Sequence, residues 1–312
     1  EHDLRAIYHG PLAYAKDAFE GLDLMKKIAA GESIVEAPRQ PAPPIVKRDA
    51  IEAPPRETPA RSSVAIDNPV PTPPYWGARV VEQVHLKSVM GYLNETMLFQ
   101  VQWQYKKQGR NAEDYEAYLR KEVRPILHQL AERCGREKIL QPQAVYGYWP
   151  CNSEGDDLIV FEPPTDGAPA SRRELARFTF PRQDKPPYWC LSDFWRPIET
   201  GEFDVAAFTI VTVGRRASDV AREWFEQNLY RDYLHLHGLG VETAEALAEY
   251  LHKQVRMELG IAGRDARDVR RLFKQGYQGS RYSFGYPACP NLEDQVKLWP
   301  LLEPGRIGIT LS

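Results

Sequence analysis

The chain has 312 residues, enough for one large domain or two ordinary ones with a sizeable core. Its 40 Lys+Arg against 43 Asp+Glu leave a formal net charge of −3, which argues against a nucleic-acid binder that works through a bulk positive field. A hydrophobic content of 43% with 16 Tyr, 11 Phe and 7 Trp excludes a disordered chain, and no apolar run approaches the roughly 20 residues that cross a bilayer.

From the N-terminus, Ala18, Leu22, Met25 and Ile28–Ala29 recur at helical spacing, predicting a helix over Tyr14–Ala30 that Gly31 stops. It is too short to be a domain, and the chain begins at Glu1 without methionine, so the sequence reads as a piece of something longer. Of 26 prolines, eleven fall between Pro38 and Pro74. Proline fixes φ and lacks an N–H, so this stretch is expected to be an extended, semi-rigid linker. Three parts follow: residues 1–32 as the end of one domain, 33–74 as linker, and 75–312 as a second domain.

Beyond Tyr75 the spacing of Leu119, Val123, Leu127 and Leu130 predicts a long helix over Asn111–Cys134, bent at Pro125. Ala144–Trp149 and Leu158–Phe161 read as a hairpin joined by the turn formers Asn152-Ser153-Glu154-Gly155. Leu175–Phe180 and Phe203–Val213 are further strands. Ser218 can cap a helix running to about His237, and Val241–Leu259 is another. Ile307–Leu311 starts a last strand. Hairpins followed by long helices, without β-α-β alternation, give an α+β class with a mainly antiparallel sheet.

Cys134, Cys151, Cys190 and Cys289 are far apart and form no C-x-x-C, which favours a reducing cytoplasm over a disulfide framework. His235 and His237 point apart on a helix, so no metal site is expected. Gly238-Leu239-Gly240 ahead of a helix start is a weak candidate for an anion site. On the helix that follows, Glu245, Glu249, His252 and Arg256 share one polar face, and such faces are mostly solvated. The aromatics of Tyr146-Gly147-Tyr148-Trp149 alternate as sheet-packing residues do. The segment Gly279–Pro290 has no periodicity and gathers Gly, Pro, three aromatics and Arg281 into a shaped loop. Arg281 offers a planar fork suited to a carboxylate or phosphate.

Arg281-Tyr282-Ser283-Phe284-Gly285-Tyr286-Pro287-Ala288-Cys289-Pro290 resembles the R-x-x-x-G-Y-P-A-C-P signature of the activation domain of cobalamin-dependent methionine synthase. Tyr146–Asp157 resembles that family's YGYWP segment, and Ala244–His252 its AEA-x-AEYLH helix. Asp17–Leu22 resembles the closing helix of the neighbouring cobalamin-binding domain. The resemblance implies a C-shaped α+β domain with a twisted antiparallel sheet. It also implies a reactivation role: S-adenosylmethionine binds above the corrin, a flavodoxin-type donor supplies an electron, and cobalamin, held mainly by the upstream domain of the same chain, is remethylated. Arg281, Gly285, Tyr286 and Glu245 match family positions that bind S-adenosylmethionine, with Tyr286 also facing cobalamin. Asn94 stands where the family often has Asp, with Glu95 beside it able to supply the charge, and Gln275 stands at a second acidic position. The family's closing segment is expected beyond Ser312, and its cobalamin-ligating D-x-H-x-x-G motif before Glu1. The competing expectation is a non-catalytic interaction module that caps the cobalamin domain and docks the electron donor. Neither reading involves nucleic acid or membrane.

Overall fold

The computed structural model describes residues 59–81, 84–165 and 170–311, with Leu24, Lys27 and Ile28 of a helix. The helix expected over Tyr14–Ala30 otherwise lies outside the described residues, as does the linker up to residue 58. The chain divides at Glu57/Thr58, and the unit Thr58–Ser312 is the one described below.

Its centre is a five-stranded antiparallel sheet. Strand β1 (Gly77–Val81) pairs with the first part of β2 (Gln143–Glu154), and β3 (Asp157–Phe161) with its last part. β4 (Glu174–Thr179) extends the sheet beyond β3, and β5 (Asp204–Thr212) lies along the other edge of β2. Strand β2 is thus the spine. It runs longer than the alternation suggests because both its faces are covered. Ala144, Tyr146 and Tyr148 enter a core shared with the helices. Val145, Trp149 and Cys151 enter a second core closed by the C-terminal helix (Leu298, Leu301, Leu302). The hairpin forms, but Asn152, Ser153 and Glu154, expected in its turn, continue β2 opposite Ile159, Leu158 and Asp157, and the chain reverses at Gly155 (φ 57°) and Asp156.

Ahead of β2, α1 (Leu86–Met90) and α2 (Glu95–Met97) lead to a π-turn at Leu98–Gln102. The predicted Asn111–Cys134 helix is observed as α3 (Ala112–Tyr118), a π-turn (Leu119–Val123) and α4 (Arg124–Arg136). The expected bend at Pro125 takes the form of this wide turn, which absorbs the hydrogen bond that proline cannot make.

Three expectations are corrected. First, the helix expected to start at Ser218 starts earlier, as α5 (Arg215–Glu226) with Gly214 as its cap, and stops where Asn228 takes φ 60°. Second, α6 (Tyr230–Glu258) runs unbroken through Gly238-Leu239-Gly240, so no helix N-terminus and no anion site exists there. A Cβ on Gly238 would lie 2.8 Å from Gln102 and 3.0 Å from the Trp103 ring, so this glycine serves close packing. Third, after α7 (Val269–Leu272) and α8 (Gln295–Leu302) the chain forms a 3-10 turn, Pro304–Ile307, and Gly308 at φ 74° turns it away from the expected strand.

Residues 59–74, assigned by composition to the linker, are seated on the sheet unit. Arg61 donates to Ser153 Oγ (2.9 Å) and to the carbonyls of Asp193 and Trp195, and the Ser62 N–H donates to Asp193 Oδ2 (3.2 Å). Arg196 also donates to the Asn68 carbonyl (2.7 Å), so proline richness describes the backbone of this segment while polar anchors, Arg61 chief among them, decide where it lies. Arg61→Ala is expected to cost about 1.5–3 kcal/mol, the range for hydrogen bonds from a charged group. It should also make residues 59–74 open to limited proteolysis; an unchanged digestion pattern and urea midpoint would show that Arg61 does not hold the segment.

Candidate functional site

The site is assembled where α6 passes beneath the loop that carries Arg281. From α6 come Glu245, Glu249, His252 and Arg256. The face they form is largely buried, contrary to the solvated face expected from their spacing: Glu249 is 5% and Arg256 1% exposed, and only Glu245 faces outward. The cause is the chain after α6. It reverses at Gly260 (φ 70°), folds back over the helix and lays Asp265, Tyr277 and Arg281 on its polar face.

Arg256 is the fixed point beneath. Its Nε and Nη2 donate to Asp265 (3.1 and 2.8 Å), its Nη1 donates to His252 Nδ1 (2.8 Å), and Tyr277 lies against its guanidinium at 4.1 Å. Burial, then Arg256 and Arg281, push the His252 imidazole down to about 3, so it is neutral and accepts at Nδ1. Glu249 lies between two guanidiniums, 4.0 Å from Arg256 and 3.8 Å from Arg281. Burial raises its carboxyl above the ordinary range, and the two arginines act against that rise. Arg281 also stands 3.6 Å from Glu245. Two atoms here, Glu249 Oε1 and Arg281 Nε, are buried without any hydrogen-bond partner. An acceptor and a donor are thus left without partners on these neighbouring residues, an arrangement costly for buried polar groups.

The loop is pinned on both sides of its turn. Phe284 stacks on Phe178 of β4 at 5.7 Å, the Gly285 N–H donates to Cys289 O (2.9 Å), and the Cys289 thiol donates to Ser283 O (3.0 Å). Gly285 has φ 96°, and a Cβ there would stand 3.0 Å from Leu292. Its role is therefore the turn itself. Tyr286 projects outward, 63% exposed, as does Tyr282. The segment carrying Asn94 reaches α6 through Tyr92, which meets Tyr250 edge-on at 5.7 Å. Asn94 caps α2, its side-chain oxygen accepting from the Met97 N–H (3.2 Å). Glu95 is taken up by Arg124 (2.8 Å), which also holds Glu116 (2.7 Å), so it does not supply the charge missing at Asn94. Gln275 is exposed, in the turn after α7 at φ 58°.

Of the expected residues, Arg281 and Glu245 come together, Gly285 shapes the turn beside them and Tyr286 faces solvent. Glu249, His252 and Arg256 share with Glu245 the polar face named from the sequence but are not among the expected ligand residues, and neither are Asp265 and Tyr277. The i, i+7 spacing of Glu249 and Arg256 was a signal; Asp265 and Tyr277 carried none. Among the described residues no His/Cys/Asp/Glu cluster could hold a metal ion, and no helix is long and apolar enough to cross a membrane. All four cysteines are free and buried, and burial pushes Cys134 up to about 12, which removes a thiol nucleophile. A cleft of about 430 Å³ lined by Trp103, Tyr105, Tyr230, Arg231, Leu234 and His235 lies at the other end of α6 and carries no orphaned side-chain atom.

The fold and the site define an α+β domain in which an arginine on a glycine-turned loop is set against one buried and one exposed carboxylate of a long helix. Comparison with known proteins narrows that class. Residues 85–312 match the family described as "Vitamin B12 dependent methionine synthase, activation domain", and the chain belongs to that family. It is 42% identical over 344 residues to methionine synthase of Mycobacterium tuberculosis (strain ATCC 25618 / H37Rv), and 39% identical over 346 residues to that of Mycobacterium leprae (strain TN). Each match covers 100% of this chain and 28% of the relative, so the chain spans just over a quarter of their length. Its fold resembles the crystal structure of the MetH reactivation domain bound to AdoHcy, with a TM-score of 0.66 and 26% identity. That match covers 78% of this chain and 75% of the other. The α+β class and the antiparallel sheet with flanking helices expected from the sequence agree with this neighbour, whose sheet is curled.

Proposed function

We propose that this chain binds S-adenosylmethionine at Arg281 and presents it to cobalamin held by a companion domain, so that an oxidised cofactor is reduced and remethylated during reactivation. The observation that carries this reading is the pair of orphaned buried atoms, Glu249 Oε1 and Arg281 Nε, beside a loop with the family signature. They suit a ligand that brings both a charged acceptor and a donor, as the amino-acid end of S-adenosylmethionine does. The neighbouring fold is described with AdoHcy, the demethylated form of the same molecule.

S-Adenosylmethionine supplies an activated methyl group and cobalamin the metal that receives it. The protein's task is then positioning, which fits a site without a nucleophile–base pair. Arg281 takes the ligand carboxylate. Glu245, exposed on α6, stabilises positive charge nearby through the field of its carboxylate. Gly285 keeps the loop backbone low, and the outward Tyr286 and Tyr282 meet the corrin face. Asn94 offers a neutral polar group while retaining its helix cap. Cobalamin comes from the upstream domain of a longer methionine synthase chain, and the electron from a flavodoxin-type donor. The exposed Tyr282, Tyr286, Leu292 and Val296 suit a surface that closes on that domain. The same surface is what the interaction-module reading needs, and ligand binding separates the two.

Calorimetry on the 312-residue chain is expected to show saturable binding of S-adenosylmethionine. Arg281→Ala should weaken it by about 10- to 100-fold, the worth of a charged hydrogen-bonded pair. No heat at millimolar ligand would leave only the interaction module.

A further inference from the structure

We propose that Glu249 is a positioning residue for ligand binding, fixing the Arg281 guanidinium from its buried side so that the arginine meets a ligand carboxylate in one orientation. This rests on the reading above for the identity of the ligand. Arg281 sits on a loop without helix or strand support, and a free arginine side chain has many rotamers to lose on binding. Its ion-pair partners are Glu245 and Glu249. The Glu245 side chain is 60% exposed, where water screens the pair and reduces its grip. The Glu249 side chain is 6% exposed, and the attraction there is little screened.

Glu249 is itself set from behind. Arg256 lies 4.0 Å from its Oε1 and cannot move, being clamped by Asp265, His252 and Tyr277. The order runs from a locked arginine, through a buried carboxylate, to the arginine on the loop. At 3.6 and 3.8 Å the contacts of Arg281 are longer than the 2.7–2.9 Å of a charge-assisted hydrogen bond. Its guanidinium is therefore steered but not consumed, and its Nε–H has no partner. A tight bidentate pair would have used the edge that a ligand must take. Glu249 acts on the ligand through Arg281, and its influence should be confined to the end of the ligand that Arg281 touches.

The test compares two probes on the 312-residue chain: AdoHcy, which has a carboxylate, and 5′-methylthioadenosine, which keeps the adenosine and thioether but lacks the amino-acid end. Glu249→Ala is expected to weaken AdoHcy about tenfold, to leave methylthioadenosine within twofold, and to add nothing in an Arg281→Ala background. Glu249→Gln, which keeps the shape but removes the charge that steers Arg281, should reproduce most of the AdoHcy loss while leaving methylthioadenosine within twofold, which shows that the site survives substitution. Equal losses for both probes would mean a scaffolding role, and additivity with Arg281→Ala would mean direct ligand contact; either overturns the proposal. If the unaltered chain takes neither probe, the ligand reading fails on its own. The Nε–H resonance of Arg281, identified by its loss in Arg281→Ala, then decides. Slow solvent exchange that becomes fast in Glu249→Ala supports the proposal, and exchange that does not change sinks it.

Discussion

Gly147→Ala is expected to destabilise the sheet unit by about 3–5 kcal/mol and lower its melting midpoint by roughly 10 °C, placing it at the upper end of single substitutions. Gly147 lies in the middle of β2, opposite Ala78 of β1 and Phe208 of β5. A Cβ there would fall 2.0 Å from the carbonyl oxygen of Gly77 and 2.8 Å from the Ala78 Cα. Both are backbone atoms, so no side chain can rotate away. Gly77 itself needs φ 77°, which leaves β1 one path into the sheet. The added methyl must push β1 off β2, opening the inner core beside Val145 and Trp149. Thermal unfolding followed by circular dichroism measures this. A loss below about 1 kcal/mol would mean that β1 can shift at little cost. The effect reaches the candidate site indirectly, because Tyr146 and Tyr148 on either side donate to Glu258 near the end of α6 (2.8 and 2.6 Å), the helix that carries Glu245 and Glu249.

What could be read beforehand followed from local pattern. The β2–β3 hairpin was legible because Gly155 marks a reversal and the aromatics alternate ahead of it, although Asn152, Ser153 and Glu154 belong to the strand and not to the turn. Arg281, Gly285 and Tyr286 were legible through a signature in one continuous segment. The burial of Glu249 and Arg256 was not, because the same four residues would form a solvated face if the chain after Gly260 left in another direction. Their partners, Asp265 and Tyr277, lie on that returning segment and have no periodicity to announce them. The glycines of α6 misled for a related reason. Gly238 looks like a break until Trp103, far away in sequence, is seen pressed against it. Arg61 was hidden differently: composition averages over a segment, and one anchored side chain leaves the average unchanged.

Asp193 carries the second large effect. Its side chain is fully buried and accepts from Arg182 through both oxygens (2.7 and 2.8 Å), from the Cys190 N–H (3.1 Å) and from the Ser62 N–H (3.2 Å). Asp193→Asn is expected to cost about 3–5 kcal/mol at pH 7, because it leaves the Arg182 charge buried with only the half-exposed Asp156 to answer it. Burial alone would raise the Asp193 carboxyl, but the bonds from Arg182, Ser62 and Cys190 outweigh burial and hold it at about 2, against 3.8 in an ordinary environment. The folded value lies below the unfolded one, so its contribution is complete above about pH 5 and is lost as pH falls through 4 towards 2. At 1.36 kcal/mol per pH unit that part amounts to about 2 kcal/mol. Urea unfolding at pH 7 and near pH 2.5 should therefore show the gap between the parent and Asp193→Asn narrowing by about that much, since the other carboxylates titrate in both proteins and cancel. A gap independent of pH would show that the charge on Asp193 carries none of the difference. The same loop receives Arg61 at the Asp193 carbonyl, so losing the carboxylate should also loosen residues 59–74. Arg61→Ala and Asp193→Asn should then cost less together than the sum of their separate effects, because either change alone already releases the segment that the two hold jointly.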